Sequence, residues 1–468
     1  MIRFGTGGWR AVIGEEFVRE NICRVGQGVA DLIWESGKQK QPVIIGYDRR
    51  FLSDSAARWL AETLVGNGIR VLFLNRSAPT PLIMHTVQKR KLAFGLEVTA
   101  SHNPSEYNGI KLIVEEGRDA PVETTNRLEE LIEAAQVHAM DFDEGVRCGM
   151  IEYVKNPFNP FIDDIMRVMD VEAIRERGPR ILFDPMHGSG TYPLMVILYS
   201  ARCTLDVINI NKDAYFGGYM PAPSEAGLKM LTNSVVKDHY DLGIAVDGDG
   251  DRLGIIDSNG RYVSANEILC MLYYYLHVYK GWTGPVVRNL ATTHMLDAIA
   301  HDLGEECYEV PVGFKYISAK ITETDAILGG ESSGGLTVRG HINGKDSIYA
   351  ASLFVEMLCK TGMSATEMMD MLRAKYGNYE MVEFNLRFAP EDKERIRRLV
   401  FEEKKLPDFG TEIEKVSYED GCKVYFRSGG FIICRFSGTE PLLRIFAEAD
   451  KRETAQSYID AFSAFLHL

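Results

Sequence analysis

Short apolar runs alternate with amphipathic stretches along most of the chain. The run 42–48 (PVIIGYD) has the pattern of a buried strand that ends in a loop, and a helical pattern follows it, with Ser53 as the expected N-cap. Residues 69–74 form the next predicted strand. Strands separated by helical patterns are typical of βαβ units, so this region predicts parallel strands covered by helices.

The same pattern returns twice, at 180–210 and from 284 onwards, with a helix expected from about Thr293. The C-terminal part differs: three short runs between 423 and 449 predict an antiparallel meander, and residues 453–466 predict a helix that covers it. The predicted fold class is therefore α/β, with three similar α/β domains followed by a C-terminal α+β domain that contains an antiparallel sheet.

Changes in this pattern suggest four domains. The predicted ranges are 1–154 for domain I, 155–256 for domain II, 257–376 for domain III and 377–468 for domain IV.

Composition narrows the function classes. The chain has 468 residues, 46% of them hydrophobic, and a net charge of −14. Disorder is excluded, and such an acidic surface disfavours nucleic acid while leaving room for a small anionic ligand in a basic cleft. No run is long enough to span a membrane and no signal-peptide core is evident. The eight cysteines are far apart, which predicts reduced thiols in a cytoplasmic protein.

Three aspartates alternate with glycines in the segment 247–252 (DGDGDR). Such close carboxylates repel one another unless a cation lies between them, and oxygen ligands favour Mg²⁺ or Ca²⁺ over zinc. An EF-hand is excluded, because Arg252 occupies its glycine position and Ser258 its glutamate position. The turn follows a predicted buried strand, where α/β proteins bind ligands. An acidic surface turn is the alternative.

A serine lies among small residues in the segment 99–104 (TASHNP), after another predicted strand. The turn is expected to present Ser101 outward, amid backbone N–H groups. His102 and Lys111 would supply positive charge or proton transfer nearby. A loop that only turns the chain is the alternative.

Two glycine-rich segments follow. In 329–335 (GGESSGG), Glu331 and Ser333 offer an acceptor and a donor that suit paired sugar hydroxyls, with a flexible linker as the alternative. The segment 340–346 (GHINGKD) imitates a P-loop, but its glycine spacing is one residue short and Asp346 replaces the required Ser or Thr. Nucleotide binding is therefore excluded there.

Hydroxyl and guanidinium groups surround a turn in the segment 435–444 (RFSGTEPLLR). A Ser-Gly-Thr turn between two strands can direct successive N–H groups inward and bind an anion. Arg435 and Arg444 flank the turn and can each bind a phosphate through two hydrogen bonds. A solvated hairpin with two surface arginines is the alternative.

Two further loops carry weaker signals. The segment 5–10 (GTGGWR) is not a dinucleotide fingerprint, because it ends in arginine and no useful strand precedes it. It is interpreted as a tight loop that places Arg10 at a site. His187, in the strand-to-helix loop 184–190, is interpreted as structural.

Taken together and in this order, the serine loop, the aspartate loop, the sugar-type loop and the phosphate-type loop resemble the α-D-phosphohexomutase family, the phosphoglucomutases and phosphomannomutases. The resemblance covers essentially the whole chain, and segments 99–104 and 247–252 are its most specific parts. It implies a heart-shaped, four-domain enzyme with its active site in a central cleft. Turnover of an intermediate in that cleft predicts that domain IV is a mobile lid.

The resemblance also implies residue roles. Ser101 would carry a phosphoryl group and, with Asp247, Asp249 and Asp251, would bind Mg²⁺. The residues implied for the reacting centre are Ser101, Arg10, His102, Lys111, Arg252, His341 and Lys345. The residues implied for substrate binding are Glu331, Ser333, Arg435, Ser437, Gly438, Thr439 and Arg444.

The implied reaction interconverts hexose 1-phosphate and hexose 6-phosphate through phosphoserine and a hexose 1,6-bisphosphate, with glucose 1,6-bisphosphate as intermediate or activator. The segment 341–346 favours α-D-glucose 1-phosphate, with mannose phosphate second and glucosamine phosphate third. Gly335 departs from the histidine that the dual phosphomannomutase and phosphoglucosamine branches tend to have, and Ser332 and Ser347 depart from the family pattern as well. The expected partner is a small sugar phosphate, and the expected state is a monomer or homodimer without membrane contact.

Two rival function classes are weighed. A metal-dependent sugar phosphatase would also use a phosphorylated serine, but it gains nothing from recognising both ends of its substrate. A catalytically silent sugar-phosphate sensor is disfavoured, because the serine, the three aspartates and both flanking arginines are all present.

Overall fold

The computed structural model describes residues 2–5, 7–436 and 442–467. The chain forms two compact units, each built from two stretches of sequence. The first unit comprises Met1–Ile268 and Ser333–Thr366, and the second comprises Leu269–Ser332 and Glu367–Leu468.

The first unit begins with a mixed sheet flanked by helices. Its strands neighbour one another in the order Trp9–Val12, Tyr107–Val114, Phe94–Val98, Val43–Tyr47, Val71–Phe73 and Ile151–Tyr153, and Arg118–Asp119 pairs with Tyr107–Val114. The last four strands in this order run parallel, and the first three are antiparallel neighbours. The helices of this region are Arg19–Glu35, Ser53–Gly66, Thr80–Arg90, Val122–Ala134 and Phe142–Arg147.

A second sheet of the same unit has the order Tyr262–Val263, Leu253–Asp257, Leu242–Val246, Arg180–Asp184 and Thr204–Val207. The last three of these strands are parallel. The remaining helices and strand of the unit are Phe158–Val168, Val171–Arg177, Thr191–Ser200, Lys229–Lys237, Ser347–Thr361 and Leu336–Val338. Two helices contain a boundary between the units, Ala265–Val278 and Ala365–Tyr376.

The second unit contains the parallel strands Cys307–Val310, Val286–Asn289 and Leu328–Gly330, neighbours in that order, with the helices Met295–Asp302 and Phe314–Thr324. Its C-terminal part is an antiparallel sheet in the order Glu380–Arg387, Leu442–Ala449, Phe431–Phe436, Cys422–Phe426 and Ile413–Ser417. The helices Lys393–Ile396 and Arg452–Leu466 belong to this part, with a π-helical stretch over Arg397–Glu402.

The α/β class and the antiparallel C-terminal sheet are confirmed, with differences in detail. The sheet has two outer strands, Glu380–Arg387 and Ile413–Ser417, that the hydrophobic pattern did not indicate. Both alternate weakly because few of their side chains are buried. The predicted N-cap role of Ser53 is wrong: Ser53 is already helical and its hydroxyl donates to Asp48 Oδ1 at 2.6 Å.

Separate hydrophobic clusters hold the sheets and their helices together. One lies around the first sheet and the helix Arg19–Glu35, another between the second sheet and the helix Lys229–Lys237, and another between the C-terminal sheet and the helix Arg452–Leu466. All eight cysteines are free thiols, five of them buried. Among the described residues, no helix is both long and apolar enough to cross a membrane.

Candidate active site

Ser101 lies in the loop that follows strand Phe94–Val98, in a left-handed backbone conformation with φ of 52°. Its backbone N–H donates to Thr99 Oγ1 at 2.8 Å, and Thr99 Oγ1 donates to Asp48 Oδ2 at 2.6 Å. The expected outward presentation of Ser101 is wrong, because the residue is only 1% exposed. Its Oγ points at the neighbouring acidic loop instead and donates to Asp247 Oδ2 at 2.9 Å.

A buried arginine holds this loop in shape. The guanidinium of Arg50 donates to four backbone carbonyls of the loop, at 2.5 to 3.0 Å: those of Ser101, Asn103, Pro104 and Tyr107. These hydrogen bonds satisfy carbonyls that a tight turn would otherwise leave unpaired in the interior. The buried guanidinium of Arg50 therefore fixes the conformation of the serine loop.

The three aspartates converge as their spacing predicts. One carboxylate oxygen from each of Asp247, Asp249 and Asp251 lies within 4.8 Å of the others, and all three residues are buried. Asp247 Oδ1 accepts the backbone N–H groups of Asp251 at 2.8 Å and Arg252 at 3.1 Å, which curls the loop on itself. A Cβ at Gly248 would lie 2.7 Å from the carbonyl oxygen of Ser101, so a glycine is needed where the two loops meet.

These carboxylates have the chemistry of a cation site. Asp249 Oδ1 and Asp251 Oδ1 are buried and lack a hydrogen-bond partner within the described residues. Burial, and then the charges of Asp249 and Asp251, raise the pKa of Asp247 well above its usual range. An excess of buried carboxylate oxygens with unused lone pairs fits Mg²⁺ or Ca²⁺, which prefer hard oxygen ligands.

Two lysines reach the aspartates. Lys111 Nζ donates to Asp249 Oδ2 at 2.6 Å and to Asp251 Oδ2 at 2.9 Å, and Lys345 Nζ lies 3.0 Å from Asp251 Oδ2. Burial opposes the charge of Lys111, but the two carboxylates raise its pKa above the usual range. A Cβ at Gly335 would lie 2.2 Å from Lys345 Cδ, so glycine at this position leaves open the space that the Lys345 side chain occupies.

Three further basic groups belong to the serine loop or the aspartate loop or contact them. Arg10 Nη1 donates to Asn103 Oδ1 at 2.8 Å, and Arg252 Nε lies 3.8 Å from Asp251 Oδ1. His102 Nδ1 lies 3.3 Å from Ser101 Oγ. Burial, and then the charges of Arg252 and Arg10, hold the pKa of His102 well below its usual range, so this imidazole is neutral near pH 7.

His341 is placed differently from the other predicted site residues. Its Nε2 lies 2.6 Å from Asp346 Oδ2, and its ring packs 4.6 Å from Tyr349 and 5.9 Å from Phe161. Asp346 also caps the helix Ser347–Thr361 through its Oδ1. These contacts indicate that His341 stabilises the loop that carries Lys345.

The predicted sugar-binding residues divide between the two units. Glu331 belongs to the second unit, where its Oε1 accepts from Asn289 Nδ2 at 3.1 Å, and it is 8% exposed. Ser333 belongs to the first unit and is exposed. The carbonyl of Gly334, next to it, accepts the backbone N–H of Leu253 at 3.1 Å, beside the aspartate loop.

The predicted phosphate-binding arginines are direct neighbours across two antiparallel strands. Arg435 and Arg444 are paired in the register of the C-terminal sheet, which places both side chains on one face. Arg435 Nε and Nη2 donate to Asp420 Oδ1 at 3.0 and 2.8 Å, whereas Arg444 is exposed. Ser437, Gly438 and Thr439 lie outside the described residues.

Sequence reasoning missed three residues of this site: Asp48, Arg50 and Thr80. Thr80 Oγ1 donates to Asp249 Oδ2 at 2.6 Å, and Asp48 and Arg50 hold the serine loop as described. One signal was available, because the pattern predicts a strand that ends in a loop at Asp48, and Arg50 lies in that loop, at the carboxyl edge where α/β sites lie. Thr80 begins a helix and carries no comparable signal.

Comparison with known proteins gives a consistent result along the whole chain. Four models of phosphoglucomutase/phosphomannomutase domains match it: α/β/α domain I at residues 1–138, domain II at 159–260, domain III at 264–376, and the C-terminal domain at 383–464. The four-domain composition of the predicted fold class is thereby confirmed.

Individual relatives match over nearly their full length. A phosphoglucomutase/phosphomannomutase of Thermococcus kodakarensis is 30% identical over 98% of this chain and 96% of its own. A phosphoglucosamine/phosphogalactosamine mutase of Sulfurisphaera tokodaii is 26% identical over 98% and 97%. A crystal structure from Thermus thermophilus, provisionally named a phosphomannomutase, has a TM-score of 0.87 at 26% identity, over 100% and 99% of the two chains.

A more distant structure shares the fold. The Aspergillus fumigatus N-acetylphosphoglucosamine mutase, crystallised with N-acetylglucosamine 6-phosphate and magnesium, has a TM-score of 0.58 at 14% identity and covers 100% of this chain and 96% of its own.

Proposed function

Because the chain belongs to the phosphoglucomutase/phosphomannomutase family, we propose that it interconverts hexose 1-phosphate and hexose 6-phosphate by way of a phosphorylated Ser101 and a hexose 1,6-bisphosphate. α-D-Glucose 1-phosphate and glucose 6-phosphate are the proposed preferred pair.

The contact between Ser101 and the acidic loop carries this proposal. Ser101 Oγ donates to Asp247 Oδ2 at 2.9 Å, and the other two aspartates of the cluster converge beside Asp247. A phosphoryl group on Ser101 would therefore start next to the carboxylates that can hold a divalent cation. The Aspergillus enzyme that shares the fold was crystallised with magnesium, which supports Mg²⁺ as the cation here.

Positioning and charge would supply most of the catalysis, as is general for phosphoryl transfer. When bound by Asp247, Asp249 and Asp251, Mg²⁺ would neutralise charge on the transferring group. Among this chain's own groups, Arg10, Arg252 and Lys345 hold fixed positive charge around the serine loop, which favours a dianionic phosphoryl group there.

His102 is the proposed proton acceptor. When a sugar hydroxyl attacks the phosphoryl group of Ser101, a sugar O–P bond forms, the Ser101 Oγ–P bond breaks, and Ser101 Oγ gains a proton in exchange for the one that the hydroxyl loses. In the return transfer, Ser101 Oγ attacks the other phosphoryl group of the bisphosphate and gives up its proton, while the departing sugar oxygen gains one. A neutral imidazole with Nδ1 3.3 Å from Ser101 Oγ is placed to accept the Oγ proton in that return step.

The names of the relatives do not identify the sugar, because they refer to different sugars. One is named for glucose and mannose phosphates and another for glucosamine and galactosamine phosphates. Gly335 supports a branch distinct from those that tend to have histidine at this position, since any side chain there would meet Lys345. The proposed role of His341 is support of the Lys345 loop, so it does not itself favour glucose.

The proposal is tested with Ser101→Ala and the matched control Ser105→Ala, which alters a serine of the same loop. Wild-type protein and the control are expected to convert glucose 1-phosphate to glucose 6-phosphate and to show one phosphate by intact-mass analysis. Ser101→Ala is expected to lose both, with a fall in kcat/KM of at least about 10³-fold. Turnover by the Ser101 variant at the control's rate would refute the phosphoserine route.

Two measurements separate the competing substrates and the phosphatase alternative. A comparison of kcat/KM for the 1-phosphates of glucose, mannose, glucosamine and N-acetylglucosamine ranks the sugars, and glucose is expected to rank first. Inorganic phosphate released in the same assays is expected to stay far below the isomerised sugar phosphate. Stoichiometric phosphate release would indicate a phosphatase instead.

A further inference from the structure

Glu97 is a buried acid whose side chain has no hydrogen-bond partner among the described residues. It lies on strand Phe94–Val98, is 0% exposed, and neither carboxyl oxygen is paired within the part of the chain that the structure describes. Burial, and then the carboxylates of Asp48 and Asp249, raise the pKa of Glu97 well above its usual range. An unpaired buried carboxyl group destabilises a fold, so its presence calls for a reason other than packing.

The neighbouring strands are built to accommodate this side chain. Gly46 is the register partner of Glu97 on the parallel strand Val43–Tyr47, and a Cβ at Gly46 would lie 2.3 Å from Glu97 Oε2. The glutamate therefore occupies space that the glycine leaves open.

On its other side, Glu97 faces Lys111. The two residues are direct partners in the antiparallel register, so their side chains leave the sheet on the same face. Lys111 does not bond Glu97, since its Nζ donates to Asp249 and Asp251 at 2.6 and 2.9 Å. The Lys111 ammonium thus bonds two carboxylates, and its register partner on the neighbouring strand carries a carboxyl group that makes no hydrogen bond among the described residues.

A divalent cation bound through the unpaired Oδ1 atoms of Asp249 and Asp251 would lie close to the ammonium of Lys111, which donates to the Oδ2 atoms of the same carboxylates. Asp249 and Asp251 are two of the three proposed metal ligands, and an ammonium between them repels an incoming cation. Metal uptake therefore favours movement of Lys111 Nζ away from these oxygens. Lys111 is buried, and a buried ammonium needs a new acceptor.

We propose that Glu97 is a positioning residue that accepts the Lys111 ammonium when a divalent cation occupies the aspartates. The inference rests on the proposed function, because it takes the aspartate cluster as the metal site. It assigns Glu97 no contact with substrate. Its effect on the metal passes through Lys111 alone, which makes it separable from a general attraction between an acid and a cation.

The test is a double-mutant cycle read by calorimetric titration of the purified, full-length protein with MgCl₂. The variants are Glu97→Gln, Lys111→Met and the two combined, and the matched control is Glu356→Gln, a buried glutamate on the helix Ser347–Thr361. Glu97→Gln is expected to weaken Mg²⁺ binding about tenfold. In the Lys111→Met background the same change is expected to alter the Kd less than about twofold, and the Glu356 control to leave it at the wild-type value.

Equal weakening by Glu97→Gln with and without Lys111 would overturn the inference, because it would mean that Glu97 attracts the cation directly. An unchanged Kd in Glu97→Gln would overturn it as well. If the glutamine variant fails to fold, Glu97→Met takes its place in the cycle with the same expectations. These outcomes are distinct from failure of the proposed function, which would appear as wild-type protein that binds no Mg²⁺ or isomerises no sugar phosphate.

Discussion

Two buried ionic clusters, one in each unit, use their carboxylates in opposite ways. The first is the acidic cluster, formed by Asp247, Asp249, Asp251 and Lys111 in the first unit. The second is here named the Glu309 cluster and comprises Arg288, His294, Glu309, Lys423 and Tyr425 in the second unit.

The carboxylate of Glu309 is saturated with donors. Its Oε2 accepts from Arg288 Nη1 at 2.5 Å and from Lys423 Nζ at 2.6 Å, and its Oε1 accepts from the hydroxyl of Tyr425. Although burial alone would raise it, these cations and His294 hold the pKa of Glu309 well below its usual range. Burial, and then the charge of Arg288, lower the pKa of Lys423 to about 7.

The acidic cluster is the reverse case. It has three carboxylates, and Asp249 Oδ1 and Asp251 Oδ1 have no hydrogen-bond partner among the residues described. Saturated carboxylates stabilise the fold, whereas a group of buried carboxylates with unused oxygens costs stability and is ready for a ligand. Counting donors for each buried carboxylate therefore separates the two roles where burial and charge alone do not.

The largest expected effect is on turnover in the acidic cluster. Asp247→Asn is expected to lower kcat about 10³-fold, because one ligand charge is lost where charge develops in the transition state. The melting temperature of the metal-free protein at pH 8 is expected to stay equal or to rise, since the raised pKa of Asp247 shows that its ionised form is unfavourable in the fold. A clear fall in the melting temperature would contradict the comparison.

Glu309→Gln is expected to lower the stability of the fold, in contrast to Asp247→Asn. Its removal leaves Arg288 and Lys423 without their shared carboxylate, so unfolding at pH 7 is expected to become easier by about 2–3 kcal/mol, a value reduced because Glu309 is 22% exposed. A carboxylate whose pKa is lowered in the fold stabilises the fold at pH values above its unfolded-state pKa, and this stabilisation decreases on acidification. The difference in unfolding free energy between the variant and wild type should therefore shrink below about pH 4. Urea titrations at pH 7 and below about pH 4 measure this difference in unfolding free energy. An equal difference at both pH values would contradict the stabilising role assigned to Glu309.

Glu448 gives a test in which stability falls with rising pH. It is 0% exposed, and burial raises its pKa to about 7, although its Oε1 accepts the backbone N–H of His294 at 2.9 Å. A raised acid pKa makes ionisation unfavourable in the fold, so its cost appears between about pH 4.5 and 7 and is complete above pH 7. Glu448→Gln is therefore expected to be up to about 3 kcal/mol more stable than wild type at pH 8 and no more stable at pH 4, as measured by urea titration.

The smallest expected effect concerns an arginine outside both clusters. Arg444 is exposed and lies opposite Arg435, which is bound to Asp420. Arg444→Ala is expected to raise KM about tenfold with little change in kcat, because the change removes the charge-assisted hydrogen bond that Arg444 is predicted to make to the non-reacting phosphate. Arg427→Ala, an exposed arginine of the same sheet region, is the control. An unchanged KM for Arg444→Ala would place the phosphate elsewhere.

The sequence identified those parts of the site whose chemistry is local. The spacing of Asp247, Asp249 and Asp251 is enough to bring three carboxylates together, and the segment 99–104 contains its serine in a tight turn. The domain limits at 154, 256 and 376 and the mobility of domain IV stay predictions. The inward orientation of Ser101 was not foreseen, because it depends on the aspartate loop that lies against it from the second sheet.

The residues that sequence reasoning missed act through distant partners. Arg50 acts on a loop 51 to 57 positions away, and Glu309 meets Lys423 at a separation of 114 positions. Sequence reasoning did not identify Glu97 for another reason. A single acid within an apolar strand has the pattern of a solvent-facing position, and only the structure shows that it is enclosed.

The hydrogen bonds from Arg50 to four backbone carbonyls have a consequence for the catalytic cycle. With these four hydrogen bonds, the loop is expected to keep its shape when its serine is esterified, so that it need not refold between successive turnovers. Any motion that accompanies the reorientation of an intermediate would then have to come from other parts of the chain, with the serine loop as the fixed point against which they move.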